Sequence, residues 1–246
     1  MTKLFVTTLL ATGLSLPLLA ATTAAAVAQP QMRPSLLIVH GIEGADLGAG
    51  YLPTLPLDVQ IDGICVTKQP VQFTGVGGPY PLVSGPHAVK ISPANTLKPC
   101  GNPAVISQTV TLISSQQAAL VLAESTAGVA TGEFFDVTQT APVAVGAAHA
   151  TVFHTANAPA VDVTVTENST GAVSTLSALQ PGATAQATFA PFTPYSVRVL
   201  ASGTTATYAG PVGFAISNRG NELLFVVGNA ANGSVAVIGK DLYGAF

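Results

Sequence analysis

Three features of this sequence predict an all-β chain of two tandem immunoglobulin-like antiparallel β-sandwiches following a signal peptide. Short runs of alternating apolar residues recur between turn signals, and no stretch carries the 3.6-residue periodicity of an amphipathic helix. The strand-turn-strand pattern of residues 36–61 also returns, imperfectly, as residues 151–165, the mark of a duplicated unit. Charged residues make up only 8% of the chain and the formal net charge is −3, with neither sign forming a run. Polarity comes instead from Thr, Ser, Asn and Gln, which suits sheets with uncharged outer faces. That balance gives nucleic acid or an anionic membrane surface nothing to hold.

The N-terminus has a single early cation, Lys3, then the apolar residues 4–20 and small residues closing in Ala26-Val27-Ala28. This is the pattern of a secretory signal peptide over residues 1–28, cut before Gln29. It predicts a secreted, periplasmic or cell-surface location, with no membrane span after cleavage. An exported chain with two cysteines most simply pairs them, so a Cys65–Cys100 disulfide is expected.

The first sandwich is expected over residues 35–140. Leu36-Leu37-Ile38-Val39-His40 is too short for a helix and apolar at every position before the histidine, the pattern of a fully buried strand. Residues 41–56, rich in Gly and Pro and carrying Glu43 and Asp46, read as a long loop. Leu57, Val59 and Ile61 then alternate with Asp58, Gln60 and Asp62, which puts the apolar set on one face. Asp62-Gly63 signals a hairpin return through Ile64-Cys65-Val66. Residues 75–81 read as a Gly/Pro turn region, and residues 87–91, 105–113 and 118–123 as further strands.

Residues 141–146 read as the linker and 147–246 as the second, smaller sandwich. Val161, Val163 and Val165 repeat the alternation around Asp162, and residues 195–199 echo residues 87–91 at an offset of 108 (195 − 87). The two aspartates are offset by 104 (162 − 58), and offsets so similar indicate duplication. The opening loop departs most. His40 and Asp58 are 18 apart in sequence, whereas His154 and Asp162 are 8 apart, so the first unit carries an insertion.

The run His154-Thr155-Ala156-Asn157-Ala158-Pro159-Ala160-Val161-Asp162-Val163 resembles the opening signature of the bacterial domain of unknown function 4397: a valine-rich strand, a His, a Pro-Asp-Ala-Pro turn and a Val-Asp-Val strand. The resemblance takes in both halves as two tandem copies, the second the clearer. It departs from the family in having Asn157 in place of Asp and Ala156 in place of Pro. It implies a secreted or cell-surface β-domain, and no particular activity.

For chemistry, the repeat signature His40, Asp58, His154, Pro159 and Asp162 is the first candidate. A strand-end imidazole can fix the opening loop by bonding a backbone group or the adjoining Asp, and a structural bond is copied when a fold is duplicated. We therefore read these positions as structural. Residues 36–41 also resemble the strand-to-His-Gly oxyanion segment of α/β-hydrolases, but no G-x-S-x-G elbow and no late His accompany it. No H-x-H, C-x-x-C, H-E-x-x-H or EF-hand spacing occurs, so no metal or cofactor is expected. Glu43, Asp46 and Tyr51 in the inserted loop form the candidate binding loop. The expected function is a non-catalytic surface protein with a structural, adhesive or binding role, and the alternative is a carbohydrate-binding accessory protein or exported hydrolase. Candidate partners are a cell-wall polymer, a glycan or another surface protein.

Overall fold

The computed structural model describes residues 33–48, 50–125, 127–138 and 143–242. The signal peptide expected over residues 1–28 lies outside them, as do residues 141 and 142 of the expected linker. Eight strands precede the linker region: β1 Ser35–His40, β2 Leu57–Ile61, β3 Ile64–Cys65, β4 Val76–Pro81, β5 Gly85–Pro93, β6 Ile106–Leu112, β7 Gln117–Glu124 and β8 Ala130–Asp136. Eight follow it: β9 Ala148–His154, β10 Val161–Glu167, β11 Val173–Leu179, β12 Thr184–Phe189, β13 Pro194–Ala201, β14 Thr207–Ala215, β15 Asn221–Val227 and β16 Ala236–Leu242.

They form four four-stranded sheets, in the orders β4-β1-β7-β8, β3-β2-β5-β6, β12-β9-β15-β16 and β11-β10-β13-β14. Adding eight to each strand number of the first two sheets gives the orders of the second two. Neighbours are antiparallel except for β1 with β7 and β9 with β15, which run parallel. A parallel pair requires a long crossover, and here five intervening strands supply it, four of them in the opposite sheet.

Leu57, Val59 and Ile61 of β2 pack inside the first sandwich against Leu36 and Ile38 of β1 and Leu120 and Leu122 of β7. Val161, Val163 and Val165 pack inside the second with Val152 of β9 and Leu224 and Val226 of β15. The alternate residues of the same parallel strands face the other way and meet in a third apolar layer. Leu37 and Val39 of β1 and Ala119 and Val121 of β7 lie there with Phe153 of β9 and Leu223, Phe225 and Val227 of β15. This layer explains the uninterrupted apolar runs, because strands covered on both faces have no polar face to alternate with. Phe153 stacks on Phe225 at 4.9 Å and meets Phe135 edge-on at 5.0 Å. Both sandwiches thus lie within one unit, Met32–Phe246.

The hairpin at Asp62-Gly63 forms with both residues at positive φ, 50° and 81°, the pairing a two-residue turn of primed type requires. One expectation is corrected. Residues 75–81 are not a turn region: Val76–Pro81 is strand β4. It lies at the sheet edge and pairs only with β1, so its prolines interrupt no ladder on the open side. The long loop at 41–56 contains a 3-10 turn, Gly44–Leu47.

Candidate functional site

His40 and His154 end the first strand of their sandwiches and are fully buried. His40 Nε2 donates to the Leu55 carbonyl at 2.9 Å, and His154 Nε2 to the Pro159 carbonyl at 3.0 Å. Each acceptor lies three residues before the strand-two aspartate, so the imidazole clamps the end of the opening loop in both sandwiches. Burial outweighs the bond to Leu55 and lowers the His40 pKa to about 4, and burial likewise lowers that of His154. In each ring Nδ1 is buried without a partner among the described residues. A neutral imidazole with its proton committed to a carbonyl is a poor proton shuttle.

The aspartates hold a different loop. Asp58 Oδ2 accepts the backbone N–H of Cys100 at 2.8 Å and of Asn95 at 3.1 Å. Asp162 accepts from Ala178 N at 2.7 Å, Ser202 Oγ at 2.8 Å and Gly203 N at 3.0 Å. Those bonds, Ala178 first, hold its pKa below the usual carboxylate range. In both sandwiches the aspartate therefore fastens the connection after the fifth strand. Among the described residues it makes no bond to the histidine.

The inserted loop turns toward the second sandwich. Asn232 Nδ2 donates to Asp46 Oδ1 at 3.1 Å and to Glu43 Oε2 at 3.3 Å. Glu124, at the end of β7, accepts the side-chain amides of Asn157, at 3.1 Å, and Asn229. Three carboxylates of the first sandwich are thus met by three asparagines of the second. Burial, then the charge of Asp46, raises the Glu43 pKa; burial, then the charge of Glu124, raises that of Asp46. Gly228 N also donates to the Gly41 carbonyl at 2.9 Å, a backbone bond between the sandwiches. Gly41 is required there because a Cβ would sit 2.6 Å from Val227 and 2.8 Å from the Leu122 carbonyl oxygen. The His-Gly pair that resembles an oxyanion segment thus serves this junction. Tyr51 is 40% exposed near the loop's end. Among the described residues, no group of three His, Cys, Asp or Glu side chains is arranged to hold a metal ion.

Beside the junction, a cleft of about 710 Å³ opens at the loop end of the second sandwich. Pro159, Pro181 and Tyr208 line it with Asn157, Gln180 and Asn229. Sequence reading gave these asparagines no role at a junction. It also passed over His87, whose Nδ1 lies 2.7 Å from Asp62 Oδ2 and whose Nε2 lies 2.8 Å from the Val83 carbonyl. Burial opposes protonation of that ring, but the two bonds prevail and raise its pKa. Cys65 and Cys100 form the expected disulfide, with Cα atoms 5.8 Å apart.

Residues 51–164 match the model of a single copy of the family described as domain of unknown function DUF4397. The match runs from the opening loop of the first sandwich into β10 of the second. No curated protein is similar in sequence. Among solved structures, the Bacillus anthracis TIE protein is 14% identical with a TM-score of 0.25, over 85% of this chain and 34% of that one. A leucine-rich repeat protein from Bacteroides thetaiotaomicron is 12% identical with a TM-score of 0.23, over 80% of this chain and 26% of that one. The chain thus spans about a third and a quarter of the length of these two proteins.

Proposed function

We propose that the chain is a non-catalytic, extracytoplasmic β-domain protein, built from two copies of one family unit, whose role is to space and present a binding surface. The apolar layer between the sandwiches carries this reading. Strands β1, β7, β9 and β15 are covered on both faces, an arrangement that spends sequence on holding two domains in one orientation. The buried histidines support it, as do Asp58 and Asp162, all being committed to loop-fixing bonds in duplicate. The disulfide fits an oxidising compartment, and no helix among the described residues is long and apolar enough to cross a membrane.

A second reading, a carbohydrate-binding accessory protein, is favoured by the cleft around Tyr208, which offers an aromatic ring, two prolines and three amides. The test is to incubate the purified protein with a panel of glycans and cell-wall polymers, measuring retention on each and soluble products released from each. Retention without product is the expected result. Release of product from any polymer overturns the non-enzymatic reading. Retention abolished by Tyr208→Ala places the ligand in the cleft.

A further inference from the structure

The connections that follow the fifth strands also differ between the two sandwiches. In the second sandwich β13 turns into β14 through residues 202–206 alone; in the first, β5 reaches β6 through residues 94–105. That longer connection is fastened at many points. Cys100 is tied by the disulfide to Cys65 of β3, and its N–H and that of Asn95 go to Asp58. Asn95 Oδ1 accepts the backbone N–H groups of Leu97 and Lys98, each at 3.0 Å. Asn102 Nδ2 donates to the Pro93 carbonyl at 3.0 Å. Surface loops are ordinarily left loose, so one held by a covalent cross-link, a buried carboxylate and two amides is preorganised.

What it forms is one wall of a cavity of about 360 Å³ on the outer face of the sheet β3-β2-β5-β6. The floor is set by strand register. Lys90 on β5 stands opposite Gln60 of β2 on one side and Ser107 of β6 on the other, with Ser92 two residues along on the same face. The lining is Gln60, Lys90, Ser92, Ser107 and Asn102 with Cys100 and Ala104: one cation, two hydroxyls, two amides and no carboxylate. Asp58, opposite Ser92 in the ladder, is taken up by the backbone N–H groups of the wall. Lys90 has no carboxylate partner, for the one ion pair among the described residues is His87 with Asp62. The size falls at the lower end of the roughly 300–1,000 Å³ typical of small-molecule sites.

We propose that this cavity binds an acidic saccharide, with Lys90 receiving its oxyanion and the Ser and amide side chains receiving ring hydroxyls. A lone cation among neutral donors and acceptors matches one negative group on a hydroxyl-rich scaffold. The second sandwich supplies an internal comparison. Arg198 on β13, opposite Thr164, holds the place of Lys90 opposite Gln60, but the short connection there builds no matching wall. The same charge without the wall is the control for the site. This proposal rests on the reading of the chain as a binding module.

The experiment is calorimetric titration of the full chain with glucuronate, glucose 6-phosphate, inorganic phosphate and glucose. Expected is saturable binding of glucuronate or of glucose 6-phosphate, whichever binds naming carboxylate or phosphate as the oxyanion, with glucose and inorganic phosphate at least about tenfold weaker. Lys90→Gln, an exposed position whose change leaves the fold intact, should weaken binding at least about fivefold. Arg198→Gln should leave it unchanged, and Cys65→Ser with Cys100→Ser should weaken it by loosening the wall. No saturable binding of either sugar anion overturns the proposal. So does equal binding of inorganic phosphate, or equal loss in both cation variants. Binding followed by consumption of the sugar overturns the non-catalytic reading and leaves the site standing.

Discussion

At the scale of single residues, buried titratable groups set opposing pH dependences. His40 and His154 are neutral when folded, and His40 titrates near a pH of about 4. A histidine whose folded pKa is depressed stabilises the fold fully above its unfolded pKa and loses that contribution as pH falls from about 6.5 toward the folded value. Glu222 on β15 acts in the other direction. Burial first, then the charge of its cross-strand neighbour Asp241, outweighs Lys240 and raises its pKa to about 7. A raised carboxylate pKa means the folded state holds its proton more tightly, so stability is lost as pH climbs from about 4.5 to about 7. Melting temperatures across pH 4 to 8 separate the two. Glu222→Gln should melt higher than wild type above pH 7 and lose less stability than wild type as pH climbs from about 4.5 to about 7. His154→Ala should cost about 1–3 kcal/mol at pH 7, because the Pro159 carbonyl loses its donor inside the protein, and should flatten the acid limb. Unchanged stability in His154→Ala alongside lost ligand binding would return the histidine to a functional role. The sequence made His40 and His154 visible by their repetition; Glu222 stayed hidden, because a glutamate preceding Leu-Leu-Phe-Val-Val looks the same whether it caps an exposed strand end or points into a sandwich.

At the scale of elements, what could be read was what depends on local pattern. The alternation of β2 and β10, the Asp62-Gly63 turn and the buried character of β1 are all written within a few residues. Strand β4 was not, since Val-Gly-Gly-Pro-Tyr-Pro has turn chemistry and becomes a strand only because β1 offers it a free edge. The β5–β6 connection is the element whose rigidity is most open to measurement. Its disulfide closes a separation of 35 residues, for which loop entropy gives stabilisation of about 4 kcal/mol. Reduction of the native protein should lower the melting temperature, and Cys65→Ser with Cys100→Ser should reproduce that loss. Amide hydrogen exchange should then quicken first at the N–H groups of Asn95 and Cys100, which rest on Asp58. Uniform quickening over both sandwiches would instead mean that the cross-link acts globally.

At the scale of the whole molecule, two domains joined by a linker, the picture drawn from the sequence, omits the layer between them. The run Leu-Leu-Ile-Val marked its strand as fully buried, but which surface covers the second side depends on how two sheets meet, and no local pattern encodes that. The asparagines of the junction are equally illegible, since each finds its carboxylate across more than thirty residues of sequence. If the layer unites the sandwiches energetically, thermal or denaturant unfolding should be a single cooperative transition despite the tandem architecture. Phe225 is the residue to remove. It is fully buried, stacked on Phe153 and part of the shared layer and neither sandwich core. Phe225→Ala should cost about 3–5 kcal/mol and split the unfolding into two transitions, while Leu224→Ala, its neighbour facing the interior of the second sandwich, should cost about 2–5 kcal/mol chiefly in one. Calorimetry decides between them: two transitions in the wild type, or one in Phe225→Ala merely shifted downward, would show that the sandwiches do not depend on this layer for their cooperativity.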